Sequence, residues 1–262
     1  KMSGYINTIA DLEAQTYGLG NFAAGNSLLK QAGAVAGLHT GHDTSLGVGS
    51  GTTVDHIEVV ANQDDGIEWF GGTVNVTNAL VWSQGDDGFD ADQAWSGTLS
   101  NGVVVMSSES GSGLELDGPE GSVATEDGFT MENITLIGAG TSSFYADLRD
   151  GLIANLNNVF AYDFSAEATV NINGADSATE LTNDRIAFSN WEIVLPEGLV
   201  MADIFGGDFT EGDESKFLDN ATAVGTGSVG ADINAFSWTL AASESAIPAA
   251  PLGTTITKSG IL

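Results

Sequence analysis

Nine acids between residues 64 and 117 recur in a pattern that could do chemistry: Asp64, Asp65, Glu68, Asp86, Asp87, Asp90, Asp92, Glu115 and Asp117. Asp-Asp-Gly stands at 64–66 and again at 86–88, each time followed by an apolar residue and then an acid, Glu68 or Asp90. Hard carboxylate oxygens beside glycine-turn carbonyls suit calcium, so calcium is the expected cofactor and these nine acids its candidate ligands. The plainer reading is turn chemistry, in which Asp caps its own backbone and Gly accepts positive φ. Neighbouring acids in a stacked arrangement favour calcium, because two carboxylates about 5 Å apart repel by roughly 3 kcal/mol at an effective dielectric near 20. No Lys or Arg lies between residues 31 and 148, so only bases folded back from a distance could relieve that repulsion.

Other chemistries fit less well. Paired acids can cleave glycosides, and "QGDDG" (84–88) is similar to the Gly-Asp-Asp element of β-helical polygalacturonases. That family also carries Gly-His-Gly and Arg-Ile-Lys downstream, and neither follows residue 88 here. A lyase would want a basic residue beside calcium, and none is near in sequence, so no residue is assigned a catalytic role. His39, His42 and Asp43 in "GLHTGHDTS" have loop spacing open to zinc, but hydrogen bonding within an irregular loop explains them as well. Trp69, Trp82 and Trp95 could form a sugar-stacking platform or belong to a core. Thr53, Thr98 and Thr130 align as on an ice-binding face, but Asn75 and Asn155 interrupt the rank.

The elements that must position the acids come from a repeat. VDHIEVV (54–60), VTNALVW (76–82), LSNGVVV (99–105), MENITLI (131–137), LNNVFAY (156–162) and FSNWEIV (188–194) superimpose at spacings of 22, 23, 32, 25 and 32 residues. Their third residues are His56, Asn78, Asn101, Asn133, Asn158 and Asn190. A fixed kernel with variable insertions is the habit of a solenoid. About ten residues after each Asn, GIEWF (66–70), GFDAD (88–92), GLELD (113–117), SFYAD (143–147) and TVNIN (169–173) alternate with period two, which means strand.

The chain therefore reads as all-β, a right-handed parallel β-helix with coils of about 22 residues or more. Stacking at about 4.8 Å would make an amide ladder of the Asn column at an interior bend. It would place Ile57, Ala79, Gly102, Ile134, Val159 and Trp191 inward, with Val59, Val81, Val104, Leu136, Ala161 and Ile193 beside them. In the second sheet the expected inward column is Ile67, Phe89, Leu114, Phe144 and Val170. Glu68, Asp90 and Glu115 form one outward column, and Asp92, Asp117 and Asp147 its neighbour. A further column, Val60, Trp82, Val105, Ile137, Tyr162 and Val194, is apolar throughout. If it faces out it needs a partner, a second copy or a loop to cover it.

Residues 1–50 are expected to hold an N-terminal cap and first irregular coil, with short helices over 7–37. The β-helix is expected over 51–205, and C-terminal coils or a cap over 206–262. Thirty-six acids against six scattered bases, a formal charge of −30, exclude nucleic acid and anionic membrane as partners. With no cysteine there are no disulfides and no thiol chemistry. No apolar run is long enough to span a bilayer, and the amino terminus lacks the order of a signal peptide, so the chain reads as a mature form or part of something longer.

The stretch "DDGIEWFGGTVNVTNALVWSQGDDGFDADQAWSG" resembles a family of secreted or lipid-anchored surface proteins of Bacteroidota and other marine Gram-negative bacteria. The likeness covers about 54–118, extends more loosely to about 174, and departs at "DADQAW", where the family has Gly before Trp. It implies a parallel β-helix and an extracellular or outer-surface location, but no activity. The expected function is a cell-surface binding or structural module with an acidic, calcium-binding strip. A surface glycan, a protein partner or self-association would be its contacts. The alternative is a carbohydrate-active β-helix enzyme, either glycoside hydrolase or polysaccharide lyase.

Overall fold

A computed structural model describes residues 49–119, 128–140 and 144–248. The expected helices over 7–37, and His39, His42 and Asp43, lie outside the described residues. Strands β1 (Thr53–Val60), β3 (Asn75–Trp82), β5 (Thr98–Val105), β7 (Phe129–Ile137), β9 (Ala154–Tyr162), β11 (Ile186–Ile193) and β13 (Ala221–Ala223) form one sheet in that order. Strands β2 (Ile67–Phe70), β4 (Phe89–Asp92), β6 (Ser112–Asp117), β8 (Phe144–Arg149), β10 (Thr169–Ile172) and β12 (Phe205–Gly207) form the second. Each strand pairs in parallel with its counterpart one coil on, as a parallel β-helix requires. Helix α1 (Gly174–Thr182) is inserted after β10 and buries Leu181, and the short α2 (Ser215–Leu218) buries Phe217.

Every strand of the first sheet from β1 to β11 is bent at one residue. His56, Asn78, Asn101, Asn133, Asn158 and Asn190 all take φ between 53° and 64°. Asn is the non-glycine residue that tolerates this left-handed conformation best, because its short amide can bond locally. The amides do bond from coil to coil: Asn101 Nδ2 donates to Asn78 Oδ1 at 2.6 Å, Asn158 to Asn133 at 3.1 Å, and Asn190 to Asn158 at 3.1 Å. The ladder differs from expectation in two ways. It sits on the outside of the bend, half-buried, with His56 and Asn190 exposed, and at Asn101 its oxygen accepts the Asp232 N–H instead. Backbone geometry at the bend, more than burial, is what the column supplies.

After the bend the two inward columns of the first sheet fall where the alternation places them, and they belong to one continuous core. Trp69 stacks on Trp95 with centroids 4.6 Å apart and Trp95 on Phe129 at 5.1 Å, so both tryptophans are core, not a sugar platform. The Thr rank is present as Thr53↔Asn75 and Thr98↔Thr130↔Asn155, interrupted as read. In the second sheet one strand is displaced. Leu114 pairs with Ala146, not Phe144, and Glu115 with Asp147, so β8 lies two residues from its expected register. A shift of two keeps every side chain on its own face, which is why alternation cannot detect it.

The apolar outward column is covered by the chain itself. Val105, Ile137 and Tyr162, with Leu80, Val103 and Phe160 beside them, pack against Phe236 and Ala241, and Trp82 and Trp238 join the same cluster. The stripe therefore gives no ground for self-association in the closed structure. Each of its larger side chains contributes on the order of 1.5–3 kcal/mol by leaving water.

Replacing Asn158 tests the bend. Asn158→Leu should destabilise by roughly 3–4 kcal/mol, the sum of a left-handed backbone cost of about 1–2 and two hydrogen bonds of about 1 each. Asn158→Gly should lose only the hydrogen-bond part. Equal melting temperatures for the two variants would mean that the bend carries no backbone strain.

Candidate metal centre

The two Asp-Asp-Gly corners are stacked one coil apart, and their two aspartates differ. The second of each pair turns into the corner: Asp65 Oδ1 accepts the Asp87 N–H at 3.0 Å, and Asp87 Oδ1 accepts the Ser112 N–H at 2.6 Å. One oxygen of each is thus turn chemistry, as the plainer reading holds. The glycine is needed for space and not for positive φ. A Cβ on Gly66 would lie 2.2 Å from Val81 Cγ1, and on Gly88 2.5 Å from the Gly113 oxygen. The corner thus packs directly onto the core.

Beyond the corners the acids stand in one register row across the second sheet: Glu68, Asp90, Glu115, Asp147, then Asn171. Asp147 therefore belongs with Glu115 and not, as expected, with Asp92 and Asp117. Half of this row is neutralised within the fold. Arg149, which faces Asp117 across β6 and β8, ion-pairs with Glu115, with Asp117 at 3.3 Å and with Asp150 at 3.7 Å. Asp147 accepts from Asn171 Nδ2 at 2.7 Å and Asn173 Nδ2 at 3.2 Å. Coil stacking has carried a base from outside the acidic stretch into it. Glu115 and Asp117 thus have a counter-charge within the fold.

The other half is crowded by further acids. Asp65, Glu68 and Asp90 are 8 %, 5 % and 7 % exposed, and each offers a carboxylate oxygen within 4.8 Å of the other two. Asp90 Oδ1 is buried with no hydrogen-bond partner among the described residues. Asp64 and Asp86 form a more open group that shares Asp65, and Asp87 and Asp92 flank the two groups. Sequence pattern had marked all of these acids alike; only stacking brings Asp65, Glu68 and Asp90 together, while Asp87 and Asp117, equally buried, are held by the Ser112 N–H and by Arg149.

Their protonation reflects this crowding. Burial, then repulsion from Asp65 and Asp92, pushes Glu68 up to about 10. Burial, and the charges of Asp87, Asp64 and Asp86, push Asp65 up to about 7 against the pull of the Asp87 N–H. Asp86 rises to about 6, chiefly by burial and by Asp87. Asp90 is driven well above the usual range by burial and by Asp65, Asp92, Glu68 and Asp117. Burial also raises Asp87, although Ser112 pulls it back. Without a cation the three buried carboxyls must hold protons or repel.

The three carboxylates supply hard oxygen donors, the type that calcium and magnesium both take. An ion bonded at about 2.4 Å keeps two ligand oxygens within about 4.8 Å of each other.

Among known proteins, residues 41–241 match the family described as "Pectate-lyase like beta helix domain". No curated protein and no solved structure matches the chain.

The raised carboxyls predict an inverted pH profile for the cation-free protein. A carboxyl whose folded value is raised contributes stability that is complete below its ordinary value near 4 and is lost as pH climbs through the folded value. In chelator, stability should therefore fall between pH 4 and pH 8 as the unfolded chain releases protons that Asp65, Glu68 and Asp90 retain in the folded one. Glu68→Gln should flatten the slope measured by thermal melts across that range. A slope unchanged by this substitution would assign the effect to overall surface charge.

Proposed function

The chain belongs to the family of pectate-lyase-like β-helix domains, and we propose that it serves as an extracellular or outer-surface binding and structural module whose buried carboxylates take calcium. One observation carries the metal assignment: Asp90, whose buried Oδ1 has no hydrogen-bond partner among the described residues, stands in one cluster with two other buried acids, Asp65 and Glu68. Calcium there would join the first coil, which supplies Asp65 and Glu68, to the second, which supplies Asp90. Asp64, Asp86, Asp87 and Asp92 would act from the surrounding shell. The strongly acidic surface, with 36 acids to six bases, supports an environment rich in cations and a partner that is neither nucleic acid nor anionic membrane. The resemblance of residues 54–118 to bacterial surface proteins supports the location. Among the described residues no helix is long and apolar enough to cross a membrane. A glycan or a protein on the polar outer face is the contact this reading implies.

A second reading, a carbohydrate-active enzyme, is favoured by one feature: the Arg149 guanidinium lies in the acid row, one coil beyond Glu115. Ion pairs to Glu115, Asp117 and Asp150 hold it as a charge balance rather than as a free base. Release of reducing ends or unsaturated products from neutral and acidic polysaccharides, lost in Arg149→Ala, would establish the enzyme and displace the binding module.

Calcium at about 100 times its dissociation constant should stabilise the protein by roughly 2.7 kcal/mol, or about 5–10 °C for a chain of this size. Sodium at matched ionic strength reports simple screening, and magnesium reports charge without the larger coordination shell. Asp90→Asn should abolish the calcium-specific increment, whereas Asp147→Asn, whose carboxylate is already satisfied by amides, should preserve it. Equal melting shifts in all three salts would remove the metal site.

A further inference from the structure

The outward row next to the bend in the first sheet runs Glu58, Leu80, Val103, Thr135, Phe160 and Glu192, one residue per coil from β1 to β11. It is apolar in the middle and carboxylate at both ends. Residues 225–241 lie along this row in the opposite direction, touching the coils in order, and the chain then turns back so that the Pro248 oxygen accepts the Tyr162 hydroxyl at 2.7 Å. Glu192 accepts the N–H and hydroxyl of Ser228 and, at 3.3 Å, the N–H of Val229. Thr135 Oγ1 accepts the Ala231 N–H at 2.9 Å, and Asn101 Oδ1 that of Asp232 at 2.7 Å. Glu58, fully buried, accepts the N–H groups of Leu240 and Ala241, both at 2.8 Å, where helix α3 (Leu240–Ser243) begins. The His56 ring lies 5.5 Å from Trp238 at the same end.

We propose that residues 225–248 are a hinged strap, anchored at β13 and held by Glu58 and by the Tyr162 hydroxyl, that lifts as a unit and bares the apolar face of the first sheet. Three observations carry this. The polar contacts named above join strap backbone to side chains of the sheet, so the strap can leave without breaking a coil-to-coil ladder. Its upstream end is fixed, since Val224 still donates to the Ile193 oxygen at 2.9 Å. Directly after it come Gly225, Gly227 and Gly230, the last at φ 101°.

The opposing forces are of the kind that make such an element reversible. Burial of Phe236, Ala241 and the aliphatic row drives closure. Desolvation of the Glu58 carboxylate opposes it and is offset only while both N–H groups of α3 are in place. Withdrawing them leaves a charge on an apolar face, and water must then enter. The latch thus has two discrete states.

Hydrogen exchange on the unaltered chain in mild denaturant tests the proposal without a variant. The amides of Ala231, Asp232, Leu240 and Ala241 should exchange together, at least tenfold faster than those of Val103, Val104 and Leu136. One common rate for both sets would make the strap part of the core and overturn the hinge. Glu58→Ala should speed the strap amides at least tenfold again and raise the fluorescence of 1-anilinonaphthalene-8-sulfonate, with the sheet amides unchanged. Unaltered strap exchange in that variant would overturn the latch, and simultaneous loss of protection in the sheet would overturn independent opening.

Discussion

Coil-on-coil parallel pairing, with equivalent residues of successive turns in register, imposes one constraint on the whole molecule: whatever a position carries, it must tolerate the same kind of neighbour about 4.8 Å above and below. Apolar rows gain from this, and they make the core. Amide rows gain too, because an amide both donates and accepts, and Asn101 on Asn78 or Asn190 on Asn158 exploit it at a bend that also demands a left-handed backbone. Carboxylate rows lose, since an ionised carboxylate accepts only.

The acid row shows how one fold answers that loss in two ways. Toward the later coils the remedy is internal, with Arg149 set against Glu115 and Asp117, and two asparagines set against Asp147. At the first two coils no such remedy is in place for Asp90, and the carboxyls of Asp65, Glu68 and Asp90 are all pushed toward their protonated forms. A buried cluster of this kind costs the fold several kcal/mol unless protons or a cation are taken up. The same row is thus structural at one end and a candidate binding site at the other.

The outer face of the first sheet shows the converse problem. Apolar residues that point outward, such as Leu80, Val105 and Tyr162, leave a solenoid with an exposed stripe. The C-terminal segment solves it in cis, and the terminal carboxylates of the adjacent row, Glu58 and Glu192, become caps for its backbone. A repeat protein whose coils contact only their neighbours thereby gains a connection from its first coil to its last.

Period-two alternation and the Asn kernel were enough to determine the β-helix, the six coils of the first sheet and nearly all inward columns, because side-chain direction in a strand follows from parity alone. The same parity left β8 two residues out of place, so Asp147 was put in the wrong row, and the placing of Arg149 against Glu115 and Asp117 was invisible. It also could not separate the nine candidate acids. Asp65, Glu68 and Asp90 differ from Glu115 and Asp117 only by which residues the neighbouring coil sets beside them. The cover over Trp82 and Tyr162 was equally out of reach, since residues 225–248 have no repeat, and their docking on Glu58 spans more than 180 residues of sequence. Local pattern determined which face each residue takes; register between coils and long-range docking decided which charges and which apolar rows meet, because those depend on distances that no single strand contains.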